Sequence, residues 1–139
     1  MAEKRVLLKN CGEMDPEDIR DYEGKGGFEA LKKAREMTPE GVIQEIKASG
    51  LRGRGGAGFP CGVKWELTGK SEDDEKYLIC NADEGEVGTF KDRYMLAHNP
   101  FGLLEGMAIA SFAIGAKKAY IYLRDEYQYL RETITVAVE

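Results

Sequence analysis

At 139 residues, 42% of them hydrophobic, the chain has the length and apolar content for one domain with a real core, and little to spare. Its net charge of −5 argues against a general nucleic-acid binder, which carries a basic surplus. The longest apolar-rich segment, Phe101–Ala116, is interrupted by Glu105 and small residues and is too short and mixed to span a bilayer.

In chain order, Arg5–Lys9 reads as a short β-like run ended by Asn10-Cys11-Gly12. Asp15-Pro16-Glu17 opens a short helix to about Tyr22, with Asp15 as N-cap and Pro16 at the first helical position. Gly24, Gly26 and Gly27 end it. Phe28, Leu31 and Ala34 have helical spacing over Phe28–Glu36. Thr38-Pro39-Glu40 starts another helix, with Val42, Ile43 and Ile46 on one face up to Ser49-Gly50. The glycine-rich stretch Ser49–Trp65 follows, then a charged turn at Ser71–Lys76. Lys76–Asn81 has the length and apolar character of a buried strand, and gives way to ADEGEVGTFKDR. Asn99-Pro100 precedes a helix over Phe101–Ile114, in which Gly102, Gly106, Ala108 and Ala110 permit close packing. Lys118–Leu123 reads as a second strand and Asp125–Val138 as a last helix. The order strand, loop, helix, strand, helix predicts an α/β layer with parallel strands, and the helices before residue 50 cover one side.

Two segments carry chemistry. Between Gly50 and Gly62, six glycines interleave with Arg52 and Arg54, and Lys64 follows. Glycine lets the backbone approach a ligand and turn its N–H groups inward, and nearby cations suit a phosphate. Gly53-x-Gly55-x-x-Gly58 satisfies the dinucleotide fingerprint literally, but a helix precedes it and Pro60 and Gly62 follow, against the strand-to-helix context that the fingerprint requires. No Gly-Lys-Ser/Thr ends the loop, so it is not a Walker loop. Arg52-Gly-Arg-Gly-Gly is a solitary arginine–glycine segment in an acidic chain, against an RNA-binding role. The second segment is Asn81, Asp83, Glu84 and Glu86, just past the carboxyl end of the first strand, where open α/β sheets bind ligands. Its amide and carboxylates suit the hydroxyls of a ribose or ribityl chain.

Three scattered cysteines, Cys11, Cys61 and Cys80, form no C-x-x-C pair. They read as reduced thiols of a cytosolic protein and do not supply the four thiolates of an iron–sulfur cluster. His98, followed by Asn-Pro, reads as a loop residue rather than a metal ligand.

SGLRGRGGAGFPCGVKW together with CNADEGEVGTFKDR closely resembles the flavoprotein family of NADH dehydrogenases. That family comprises the FMN- and NADH-binding 51-kDa subunit of respiratory complex I and its relatives in NAD(P)-linked hydrogenases and formate dehydrogenases. The lead-in NCGEMDPEDIRDYEGKGGFEAL is similar to the hydrogenase and formate dehydrogenase branch. The resemblance covers about the N-terminal third of a family member. It implies an α/β fold, part of the Rossmann-like layer of the FMN-binding domain with N-terminal helices, incomplete. Residues 1–48 would be a helical lead-in and 49–139 one structural unit, the N-terminal part of the FMN/NADH domain. It implies FMN contacts from Gly53, Arg54, Gly55, Gly56, Lys64, Asn81 and Asp83, with Phe59, Glu84 and Glu86 facing the nicotinamide nucleotide. The implied reaction is hydride transfer between NAD(P)H and FMN, then electron transfer to iron–sulfur clusters, with no side chain as acid or base.

The chain departs from the family pattern at Cys61, where Thr is usual, at Val87, where Pro is usual, and at Leu67, where some members place an adenine-clamping aromatic. The family's ubiquitin-like domain, cysteine-rich bundle and further nucleotide-binding region are expected to lie outside this sequence, so its 4Fe-4S cluster is not bound here. The implied partners are a 24-kDa-like thioredoxin-fold iron–sulfur protein, the C-terminal part of the same flavoprotein, and other subunits of a dehydrogenase or hydrogenase complex. Nucleic acid and direct membrane insertion are not expected. The expected location is cytoplasmic, peripheral to the inner membrane through partner subunits. The alternative reading is a non-catalytic truncated fragment or assembly module that docks on partner subunits.

Overall fold

The computed structural model describes residues 5–139. Their elements run α1 (Ile19–Gly24), α2 (Glu29–Arg35), α3 (Pro39–Ala48), α4 (Cys61–Gly69), β1 (Tyr77–Ala82), α5 (Lys91–His98), α6 (Pro100–Ile114), β2 (Lys118–Leu123), a 3-10 turn (Asp125–Leu130) and α7 (Arg131–Val138). β1 and β2 pair in a two-stranded sheet. The bonds flanking the pair, Lys117 N–H to Lys76 O (3.0 Å) and Arg124 N–H to Ala82 O (3.4 Å), advance together along both strands, so the pairing is parallel. This is the expected α/β class, rich in helix.

Several boundaries differ from the sequence reading for local reasons. Arg5–Lys9 is turn, not strand. Cys11 N–H bonds Leu8 O at 3.2 Å and Gly12 takes φ +80°, so the amides are used locally. Asp18, not Asp15, caps α1, accepting Arg20 N–H at 2.9 Å. Asp15 is drawn into a turn one step earlier, where its carboxylate accepts Glu17 N–H at 2.9 Å. α4 and α5 have no counterpart in the sequence reading. β1 is not buried on both faces: Tyr77 and Ile79 are 45% and 65% exposed. Asp125–Val138 is broken at Tyr127, whose φ of −101° and ψ of 19° are non-helical. The start of α3 is as read, with Thr38 Oγ1 accepting Gly41 N–H at 3.0 Å.

The chain forms two compact units. One takes in the described residues up to Phe28 with Asn81–Glu105 and Ile121–Glu139; the other takes in Glu29–Cys80 with Gly106–Tyr120. The first unit has two cores. Ala82, Leu96, Tyr127, Leu130 and Ile134 form one; Met14, Tyr22 and Phe101 form the other. In the latter, the Tyr22 ring stacks on Phe101 (centroids 5.7 Å apart) and meets Phe28 edge-on at 5.0 Å. The buried Glu105 carboxylate beside them accepts the Tyr22 hydroxyl and, at 3.0 Å, the Phe28 N–H. Burial, and then this carboxylate, raises the Tyr22 phenol, which stays a donor.

The second unit packs Ala34, Val42, Ile43 and Ala113 against Met37, Trp65, Ile109 and Phe112. α3 and α4 cross at Gly62, where a Cβ would lie 2.7 Å from Lys47 N and 2.9 Å from its Cα. The backbones meet because that residue lacks a side chain. Lys47 then reaches Glu66 on α4 at 3.1 Å.

Gly62→Ala is expected to cost about 1–3 kcal/mol, since the Lys47 backbone must yield as well as its side chain. Urea unfolding checks this as a lowered midpoint at unchanged slope. Gly55→Ala, at a position with open space and no positive φ, is expected to stay within about 0.5 kcal/mol of the parent.

Candidate functional site

The glycine loop lies in the second unit and is a closed neck with an open tip. Cys61 N–H bonds Leu51 O at 2.8 Å, Gly53 N–H bonds Phe59 O at 2.9 Å, and Arg52 and Pro60 form an antiparallel bridge. Gly56 and Gly58 take φ +115° and +61°, which a side chain disfavours. Gly55, Gly56 and Gly58 all face open space. The two arginines brace the loop from within: Arg52 donates to Gly58 O at 2.8 Å, and Arg54 to the carbonyl of Arg52. Both bring positive charge to a loop whose shape they help to hold. Lys64 is exposed on the first turn of α4, with no carboxylate partner among the described residues. Phe59 is 49% exposed at the neck.

The loop does open a helix, α4, one residue after Pro60. The sequence alone suggests Pro60 and Gly62 as breakers; instead Pro60 is the extended residue before the helix, with φ −60° and ψ 118°, and Gly62 is its contact with α3. A helix still precedes the loop, so the arrangement is not the dinucleotide turn. Cys61 is the first residue of α4; burial pushes its thiol up, and Lys64 partly offsets this.

The acidic turn lies in the first unit, at the carboxyl end of β1. Asn81 accepts Asp83 N–H on its side-chain oxygen at 3.0 Å, and Gly85 N–H bonds Asp83 O at 3.0 Å. Asn81, Asp83 and Glu86 are exposed. Val87 is fully exposed, and Gly88 takes φ +87°. Glu84 differs from the others. The resemblance has it facing a nucleotide, yet its carboxylate is turned inward and its side chain is 2% exposed. One oxygen accepts Asp92 N–H at 2.9 Å; the other accepts the Tyr127 hydroxyl at 3.0 Å and Arg93 N–H at 3.4 Å. Lys91 Nζ lies 4.0 Å away. Glu84 thus satisfies the start of α5, whose first N–H groups have no partner within the helix. Burial pushes its carboxyl up, but the Asp92 N–H, Tyr127, the Arg93 N–H and Lys91 together bring it below the ordinary value.

Sequence reasoning passes over Arg124, Glu126 and Tyr127. Arg124 Nη1 donates to Glu84 O at 2.5 Å, while its Nε and Nη2 grip Glu126 at 2.7 and 2.6 Å. This fork holds the Glu126 carboxyl down at about 2. The available signal is Arg-Asp-Glu-Tyr directly after a strand, the position that the acids occupy after β1.

The parallel strand pair flanked by helices is of the α/β class, in which ligands bind at the carboxyl ends of strands, the place that the acidic turn occupies. The chain belongs to the Nuo51 FMN-binding domain family, whose model matches residues 46–139. It is 51% identical over 123 residues to the F 2 subunit of NADH-quinone oxidoreductase of Rhizobium meliloti (strain 1021), covering 88% of this chain and 29% of the relative. It is 45% identical over 135 residues to the HndC subunit of the NADP-reducing hydrogenase of Solidesulfovibrio fructosivorans, covering 97% and 27%. The fold is similar to a chain of the air-oxidized NAD+-reducing [NiFe]-hydrogenase, with TM-score 0.77 and 43% identity over 96% of this chain and 22% of that one. The chain therefore spans less than a third of the length of these relatives. Among the described residues no group of three or more His, Cys, Asp or Glu is placed to hold a metal ion, and no helix is long and apolar enough to cross a membrane.

Because Glu84 is held below its ordinary value, the stability it contributes is present above its unfolded-state pKa of about 4.5 and is lost as pH falls through the lower folded value. Glu84→Gln is expected to cost about 1–3 kcal/mol at neutral pH. The gap between parent and variant should close as the pH falls below the ordinary carboxylate range, which urea unfolding across pH measures.

Proposed function

We propose that this chain supplies a phosphate loop and an acidic turn for binding FMN and NAD(H) in an NADH-dehydrogenase-type oxidoreductase. The observation that carries the reading is the glycine loop, closed at its neck, braced by its own arginines and open where Cβ atoms would stand. Gly53, Gly55 and Gly56 let a ligand approach the backbone, while Arg54 and Lys64 supply positive charge for a phosphate. Asn81 and Asp83, exposed at the strand end, suit the ribityl hydroxyls. Phe59 offers an exposed ring for stacking with the nicotinamide nucleotide. Glu86 presents its charge to that nucleotide directly, and Glu84 contributes its field and the shape of the turn. When bound, the flavin supplies the hydride and single-electron chemistry. The chain's residues bind, orient and set the local charge.

In the same reading, residues 1–48 are a lead-in and 49–139 the N-terminal part of the FMN/NADH domain. Electrons pass to iron–sulfur clusters on other parts or partner subunits, and the assembly is peripheral, reached through those partners. The names of the relatives, subunits of NADH-quinone oxidoreductases and of a hydrogenase, support this. A second reading, an assembly module that docks without catalysis, draws on the exposed side chains of Tyr77, Ile79 and Tyr120 on the strands.

Flavin fluorescence during titration of FMN into the purified chain separates the two. Saturable quenching is expected, with Lys64→Ala weakening it by about tenfold, the loss of one charge-assisted phosphate contact. A signal unmoved by millimolar FMN overturns the flavin site and leaves the docking module. Anaerobic addition of NADH to the loaded chain is expected to bleach the flavin absorbance.

A further inference from the structure

The break at Tyr127 has a consequence for the acidic turn. Tyr127 takes a non-helical φ of −101° and ψ of 19°, and its ring, 7% exposed, lies in the core formed with Ala82, Leu96, Leu130 and Ile134. From that place its hydroxyl meets Glu84 at 3.0 Å. Three residues earlier, Arg124 reaches the Glu84 carbonyl at 2.5 Å while forked onto Glu126. One residue of the turn is therefore held at both its side chain and its backbone by the segment that follows the other strand.

We propose that Tyr127 and Arg124 are positioning residues that latch Glu84 and thereby fix how Asn81, Asp83 and Glu86 are presented to a ligand. The functional part rests on the reading of this turn as the flavin and nicotinamide nucleotide side of the site. The latch itself rests only on the contacts. Tyr127 keeps its proton in this setting, since burial, and then the neighbouring carboxylate, raises its phenol, so it remains a donor. The carboxylate stays charged and accepts from both the phenol and the start of α5. Loss of the hydroxyl leaves the ring in the core but removes one of the donors that keep the carboxylate turned inward.

The test is amide hydrogen exchange and FMN titration on the purified chain, for the parent, Tyr127→Phe and Arg124→Lys. Tyr127→Phe is expected to speed exchange at Asp92 and Arg93 by about tenfold, the loss of one hydrogen bond to a charged group, with exchange in α3 unchanged. It should weaken FMN binding several-fold. Arg124→Lys, which keeps the charge and loses the fork, is expected to speed exchange at Gly85 and serves if Tyr127→Phe does not fold. Unchanged exchange at Asp92 and Arg93 in Tyr127→Phe, or at Gly85 in Arg124→Lys, overturns the latch. Faster exchange with unchanged FMN affinity overturns the positioning role. Failure of the parent to bind FMN overturns the proposed function, visible without any variant, while the exchange data still decide the latch.

Discussion

A buried carboxylate sets the terms for the first unit. Removing an ionised Glu84 from water costs several kcal/mol unless its oxygens are met by donors. The donors that meet it come from two places, the first N–H groups of α5 and the Tyr127 hydroxyl, and the Lys91 ammonium lies 4.0 Å away. Each is a constraint on the backbone. The chain after β1 has to turn so that α5 begins beneath its own acidic loop, and the chain after β2 has to break its helix to deliver a phenol. Glu84 thereby ties Ala82–Arg93 to Arg124–Leu130, beside the apolar core of Ala82, Leu96, Tyr127 and Leu130.

The same device recurs at the other core of that unit. Glu105 on α6 accepts a tyrosine hydroxyl and a backbone N–H, from Tyr22 and Phe28, and fastens that segment. The second unit is built otherwise. Its helices approach by omission of a side chain at Gly62, and its charged residues stay at the surface, with Lys47 and Lys70 both on Glu66. Exposed pairs of this kind contribute little each, so apolar packing around Val42 and Ile43 carries that unit.

What is legible in the sequence follows from how local the physics is. The Thr38 cap, the ends of β2 and the span of α6 depend on neighbours in the chain, and they read closely. The cap of α1 is misplaced by three residues because Asp15 and Asp18 both precede the helix and only the path of the turn selects between them. α5 escapes the sequence because its start is capped by Glu84, seven residues before Lys91, rather than by a neighbouring Ser, Thr or Asp. The family is legible from two motifs, yet the inward turn of Glu84 is not. Spacing places four polar residues after a strand, and only tertiary donors decide which of them faces in.

That division of labour bears on binding. A loop or turn that must be ordered when its ligand arrives gives up part of the interaction energy to lost freedom. Here both segments are held by contacts within the chain. The glycine loop is shut by Leu51–Cys61 and Gly53–Phe59 bonds, and its arginines are held against its own carbonyls. The acidic turn is pinned at Glu84 through side chain and carbonyl alike. Glycines that look like a recipe for flexibility therefore serve the opposite end. Positive φ at Gly56, Gly58 and Gly88 lets the chain hold one shape that a side chain would oppose, with the backbone left bare where a ligand would lie.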